Sequence, residues 1–352
     1  MFTVFDYVKR NKEVSLEKSS WNLIDNLVCS ILAYLPTRGF NDERSLQEIY
    51  DEVKLVEEPE KLGAVEPKSV EMIKLMLDGA RYEGVKVSNF VKVKNEKTQF
   101  GAVTFRVNGI TIVSFQGTDY STIGWLEDFR LAYEYPTYTQ VLAVDYLKNT
   151  LDLEKDNCVY VVGHSKGGTL AMTSVMESSD EIYNRIKRVY NFDGPGFRDE
   201  EYHSEKYKKM SKKLTNFVPT GSMIGVLLNN RSYEAVKTNT IGFNGHFPTY
   251  WRVYGKSFVR GRLSCLSRKI HKSTMIALRK VDDDVIKEAV EGLFEALSDD
   301  VTADIKLSLE KIVEVYKELK EEKPETFECL EVIFKEVIEA CMVKGGNRCK
   351  KG

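Results

Sequence analysis

Residues 158–171 read Cys-Val-Tyr-Val-Val-Gly-His-Ser-Lys-Gly-Gly-Thr-Leu-Ala. The segment has the pattern of a short buried strand, a glycine-bounded turn and the start of a helix. At the turn, Gly163-His164-Ser165-Lys166-Gly167 is a G-x-S-x-G. In a nucleophile elbow the serine is held in a strained conformation between strand and helix, so the positions two before and two after it must be nearly free of side chain. That geometry lifts the hydroxyl above the sheet and sets a helix N-terminus beside it, where partial positive charge can serve an oxyanion. A bare G-x-S-x-G arises by chance in roughly one such chain in ten, so the flanking strand and helix carry the weight. The bland alternative is a glycine-rich turn with an incidental serine.

The rest of the chain predicts a setting for such a turn. Residues 22–35 carry Leu23, Leu27, Ile31 and Leu35 at helical spacing, with Asp25 and Asn26 close to the apolar face and Pro36 as the stop. Residues 41–58 are acidic and read as a surface helix, and 67–81 as another that starts on proline. The period then changes to that of strands over 88–93, 100–107 and 110–115, with Asn108-Gly109 as a two-residue hairpin turn between the last two. Beyond the aromatic-rich segment 120–138, a helix over 139–151 precedes the elbow. Further strands are expected at 188–192, 214–218 and 232–236. Alternating strands and helices of this kind predict an α/β fold, a mostly parallel sheet flanked by helices.

Net charge of −2 offers no argument for nucleic acid or an anionic membrane surface. No run of about 18 apolar residues exists, and the N-terminus lacks an apolar signal core, so a cytoplasmic protein with no integral membrane segment is expected. The six cysteines lack C-x-x-C spacing and are read as reduced, structural thiols. Four histidines without neighbouring ligands predict no metal and no cofactor. From about residue 263 the chain becomes helical, with apolar stripes at 286–297, 305–319 and 327–341 and a basic, disordered tail at 345–352. The domain reading is therefore 1–262 as the α/β unit and 263–352 as a helical C-terminal extension, a candidate surface for a protein partner.

A serine hydroxyl needs a general base, and the base needs a third group to fix its tautomer. Downstream of Ser165, His203 and His271 lie in charged stretches and read as exposed, leaving His246 in an aromatic, glycine-bearing loop. Asp193 ends the strand after the elbow unit, where sheet chemistry collects, although aspartate is also common there as a plain turn residue. Asp199 is the weaker rival and reads as a helix cap. The Lys166 N–H is one oxyanion donor by construction. The Gln116-Gly117-Thr118 loop is the candidate for the second, through the Thr118 hydroxyl or N–H. The Lys166 side chain is read as solvated.

The segments Val113-Ser114-Phe115-Gln116-Gly117-Thr118-Asp119 and Trp125-Leu126-Glu127-Asp128-Phe129, with Gly-His-Ser-Lys-Gly-Gly, resemble the class 3 lipases of the α/β-hydrolase superfamily. Together with Asn191-Phe192-Asp193-Gly194-Pro195-Gly196-Phe197 and the loop from His246 to Trp251, they more closely resemble the bacterial Mbeg1-like family. The resemblance runs from about residue 3 to 255. It implies Ser165 as nucleophile, His246 as base, and Thr118 with Lys166 at the oxyanion hole. Two departures stand out. Gln116 replaces the arginine of the usual Phe-Arg-Gly-Thr, and Asn216–Ser222 lacks the carboxylate that class 3 lipases carry there. The second departure moves the expected acid to Asp193, with a Ser–His dyad oriented by Ser222 or a backbone carbonyl as the alternative. The expectation is a serine hydrolase acting on a small acyl or lipid-like substrate, with residues 120–138 and 223–228 as lid and acyl pocket. The competing expectation is a non-catalytic hydrolase-fold protein that binds a ligand or partner.

Overall fold

The computed structural model describes residues 2–56, 65–119, 121–297 and Glu321. Among them, eight strands lie side by side in chain order: β1 (Arg44–Ser45), β2 (Lys86–Lys94), β3 (Gln99–Val107), β4 (Ile110–Phe115), β5 (Val159–His164), β6 (Ile186–Phe192), β7 (Leu214–Pro219) and β8 (Tyr233–Val236). Strands β1 to β4 pair antiparallel, and β4 to β8 pair parallel. The turn between β3 and β4 takes positive φ at Asn108 (46°) and Gly109 (75°). Both central residues of a tight hairpin require this, which is why Asn-Gly marks the spot.

The winding order decides how the sheet is covered. Connections between adjacent parallel strands are right-handed, so a sheet wound steadily in one direction receives every crossover helix on the same face. That face carries the helices Tyr138–Thr150, Lys166–Met176 and Glu205–Met210, whose Leu147, Leu170 and Met210 pack with Val113, Val161 and Val189 of the sheet. The other face receives no crossover. It is closed by the helices Val4–Asn11, Leu23–Leu32 and Glu66–Met76, packed with Ile112, Val162, Phe192 and Phe217. Neighbouring residues Val161 and Val162 thus serve opposite cores, as period-two alternation demands, and each buried side chain of this size contributes about 1.5–3 kcal/mol.

Asp25, expected near the apolar helix face, is buried and bonded to Arg81 at 2.5 Å, both side chains being at most 1% exposed. The Tyr82 hydroxyl donates to the same carboxylate. This pair explains why the helix expected over 67–81 stops at Met76: Arg81 must turn inward instead of continuing along a helix surface. The expected surface helix at 41–58 is shorter, Leu46–Val53, opened by a Ser45–Glu48 capping box and burying Leu46, Ile49 and Val53.

After β8 comes a small antiparallel ribbon, β9 (Val253–Tyr254) with β10 (Ser257–Phe258). The helices Cys265–Leu278 and Asp283–Leu297 follow. The second docks Ile286, Val290 and Leu293 on Ile123 and Leu126, so this stripe is core contact with the helix Thr122–Arg130. The stripes expected at 305–319 and 327–341 and the tail at 345–352 lie outside the described residues, as do Cys329, Cys341 and Cys349. Cys29 and Cys158 are free thiols. Cys265 is disulfide-bonded, which corrects the expectation of reduced thiols throughout, because spacing along the chain does not reveal which sulfurs meet in space. Among the described residues no helix is long and apolar enough to cross a membrane.

Candidate active site

Ser165 sits between β5 and the helix Lys166–Met176 with φ 57° and ψ −136°, a region that non-glycine residues enter only when their surroundings over-determine it. The surroundings here are backbone against backbone. A Cβ at Gly163 would lie 2.0 Å from the Gly167 oxygen, and one at Gly167 would lie 2.2 Å from the Phe115 oxygen. Both positions therefore exclude any side chain, the steric demand read from the G-x-S-x-G. The Ser165 N–H donates to Phe192 O at 3.0 Å, which ties the elbow to the end of β6. The next residue there is Asp193. Ser165 is half-buried while His164, Lys166 and Gly167 on either side are buried.

Asp193 also has positive φ, 57°, and is fully buried. Its Oδ2 lies 2.7 Å from His246 Nδ1, and its Oδ1 accepts from the Ser222 hydroxyl at 2.6 Å and the Gly225 N–H at 3.1 Å. The segment 216–222, which lacks a carboxylate, thus contributes Ser222, whose hydroxyl bonds Asp193 and not the imidazole. The two donors fill Oδ1, leaving Oδ2 for an imidazole Nδ1–H. Burial pushes the Asp193 carboxyl well above the usual aspartate range, against the Ser222 and Gly225 hydrogen bonds. Burial pushes His246 down to about 3, so its ring is neutral at pH 7, with Nδ1 turned to Asp193. Among the described residues the Ser165 hydroxyl makes no hydrogen bond to His246.

His164 Nε2 lies 3.0 Å from the backbone oxygen of His246. A carbonyl only accepts, so this nitrogen carries the hydrogen, and Nδ1 accepts from the Tyr34 hydroxyl at 2.9 Å. The Tyr34 oxygen accepts in turn from the Gly117 N–H at 3.1 Å. One chain of hydrogen bonds therefore joins the loop after β4 to the loop carrying His246. Burial, with His246 nearby, holds His164 well below the ordinary imidazole value. Sequence reasoning missed this relay, since Tyr34 and His164 stand 130 residues apart and no local pattern links them.

The Lys166 side chain departs from expectation. It is 1% exposed, not solvated, and its Nζ donates to Glu127 Oε2 at 2.9 Å, Gln99 O at 2.9 Å and Gln99 Oε1 at 2.8 Å. The cause is the tight turn, which directs the first residue of the elbow helix under the neighbouring helix, where Glu127 supplies the counter-charge. Gln99 also donates to Gly117 O at 3.3 Å and accepts from the Asp119 N–H at 3.4 Å. One lysine thereby fastens the elbow to the 116–119 loop. The Thr118 hydroxyl donates to Asp128, so of the hydroxyl and the N–H expected as the second oxyanion donor, the hydroxyl is already engaged. Burial raises Asp128 to about 6, against Lys166 and Thr118. The Gln116 side chain fits over Gly101, where a Cβ would lie 2.3 Å from its Oε1.

Of the rival residues, His203 is exposed, whereas His271 is half-buried with Nδ1 2.8 Å from Val226 O, which corrects its reading as exposed. Asp199 opens the helix Asp199–His203 and pairs with Arg279. In the segments expected as lid and pocket, Tyr133 is buried, Phe129 is 39% exposed and Val226 is buried. Glu127 and Asp128 tie the helix Thr122–Arg130 down to Lys166 and Thr118. No group of residues able to hold a metal occurs among the described residues.

The Mbeg1-like family model matches residues 76–295. Among solved structures, one titled "Crystal structure of M37 lipase" is 12% identical, with 89% of this chain and 97% of that chain covered and a TM-score of 0.41. A second, a mutant form of MDLA from Penicillium cyclopium, is 15% identical over 62% of this chain and 78% of that chain, with a TM-score of 0.38. No curated protein matches the chain.

Proposed function

The chain belongs to the Mbeg1-like family, and on that footing we propose that it is a serine hydrolase cleaving an ester, thioester or other acyl substrate through an acyl-enzyme on Ser165. The observation that carries this reading is the 2.7 Å contact between Asp193 Oδ2 and His246 Nδ1, beside an elbow whose serine is strained and half-exposed. With Nδ1 committed to the carboxylate, Nε2 is the nitrogen free to take the serine proton. The serine oxygen then bonds to the acyl carbon. The leaving group departs with the proton that His246 returns, and water repeats the sequence to release the acid. The N–H groups of Lys166 and Thr118 would hold the transient oxyanion at the N-terminus of the elbow helix. A hydroxyl–imidazole bond absent in the free enzyme is compatible with this role, because such bonds often tighten only when substrate is bound.

A fluorophosphonate probe tests the proposal, since a serine nucleophile displaces fluoride and keeps the phosphonyl group. Labelling is expected in the native protein, absent in Ser165→Ala and slowed in His246→Ala. Folded protein that takes up no label would favour the second reading, a hydrolase-fold protein that binds without turnover. The missing hydrogen bond between the Ser165 hydroxyl and His246 is the observation on that side.

The pH profile follows from the burial of His246. A base works only while unprotonated, and a value lowered from the ordinary 6.5 keeps the imidazole neutral further into acid. The acid limb of kcat/KM is therefore expected below pH 6.5, and a limb at about pH 7 or above would contradict the assigned base.

A further inference from the structure

A net charge of −2 conceals a local excess. Between residues 235 and 281 the sequence holds ten lysines and arginines and no aspartate or glutamate. The fold gathers much of this stretch on one surface. Three passes of chain run side by side there: the Lys237 N–H donates to Val259 O, the Arg252 N–H to Lys237 O, and the Gly261 N–H to Ala235 O. Alternation sorts the side chains. Val236, Trp251, Val253 and Phe258 turn into the core, while Lys237, Tyr254 and Lys256 turn outward, with Arg262 exposed just beyond. Lys237, Lys256 and Arg262 have no carboxylate partner among the described residues. Arg260 on the same ribbon does have one, Glu234.

From this basic ribbon projects the loop that carries His246. Its base is closed by the Thr238–Trp251 bridge and by the Asn239 N–H to Tyr250 O bond. At its tip Ile241 is 92% exposed, Phe243 is 44% exposed, and Tyr254 on the adjoining ribbon is 80% exposed. Isolated exposed apolar residues are ordinary, but here an aliphatic and two aromatic side chains stand on the same loop and ribbon as the exposed Lys237, Lys256 and Arg262. We propose that this face docks on an anionic phospholipid bilayer, the cations meeting headgroup phosphates and Ile241, Phe243 and Tyr254 entering the interface. Two features favour a bilayer over nucleic acid. The protruding side chain at the tip is aliphatic, with no use against a phosphate backbone, and Tyr254 has the amphipathic ring that settles at headgroup level. Docking itself needs no catalysis. If the active-site reading above holds, it also brings the His246 loop against the lipid.

Co-sedimentation of the full-length protein with phosphatidylcholine vesicles, with and without phosphatidylglycerol, tests the surface. Binding is expected only with phosphatidylglycerol and is expected to weaken as salt rises. Lys256→Glu/Arg262→Glu should weaken it at least about ten-fold while leaving fluorophosphonate labelling of Ser165 intact, and Ile241→Ser should weaken it several-fold at fixed salt. Equal binding to both vesicle types, or full binding by the charge-reversal variant, overturns the proposal. So does a duplex oligonucleotide bound with the same salt dependence while vesicles are not. No vesicle binding at low salt also overturns it. Labelling reports on the catalytic reading alone, so the two can fail separately.

Discussion

Asp193→Asn is expected to lower kcat/KM for a p-nitrophenyl ester by about ten-thousand-fold while leaving the protein folded. The carboxamide oxygen can stay on the Ser222 hydroxyl and the Gly225 N–H, which now hold Oδ1. The amide nitrogen then faces His246 Nδ1 in place of Oδ2. It can only donate, so Nδ1 must accept, and the ring hydrogen moves to Nε2, the position that has to receive the serine proton. Steady-state kinetics alongside circular dichroism separates the outcomes. A folded variant within about ten-fold of the native rate would remove Asp193 from the mechanism and return the choice to a dyad.

The second large effect is on stability. Lys166→Met strands the Glu127 carboxylate, which is almost fully buried opposite it, and removal of one partner from such a pair costs about 3–5 kcal/mol. Lys166→Met/Glu127→Gln should recover most of the loss, because the carboxamide oxygen can still accept from the Gln99 N–H while the carboxamide NH2 donates to the Thr98 hydroxyl, which turns to accept, and neither charge of the pair remains buried. Urea denaturation of the three proteins reads this directly. A single variant within about 1 kcal/mol of the native protein would show that water reaches the pair. Because the same lysine fastens the elbow to the 116–119 loop, the double variant should regain stability before it regains rate.

The ease with which different parts were read from sequence follows the range of the interactions that fix them. The β3–β4 hairpin is settled by two residues, Asn108 and Gly109, and β4 occurs at its expected bounds. The elbow is equally local, as its glycines answer to backbone only a few residues away and to β4. Asp193 was legible as a strand end, and its partner His246 by elimination among the three histidines downstream of Ser165. Longer-range partners were not legible. Lys166 meets Glu127 across 39 positions, and a lysine at the start of a helix reads as solvated unless the neighbouring helix is known to cover it. Arg81 meets Asp25 across 56 positions. The signal was half visible, an aspartate near an apolar helix face, but nothing in the sequence names its partner.

The one-way winding of the sheet also sets a timetable. The helix Leu23–Leu32, nine of whose ten residues are buried, packs on β4 and β5, strands that are made long after it, and Tyr34 waits 130 residues for His164. At a synthesis rate of about 5–20 residues per second, an apolar helix leaves the ribosome roughly ten seconds before its partner strand exists. Closing contacts so distant in sequence is slow even in the finished chain. The opening segment of this protein is thus a natural client for whatever shelters nascent chains, and among the contacts it must wait for are the Tyr34 hydrogen bonds that join the loops on either side of Ser165.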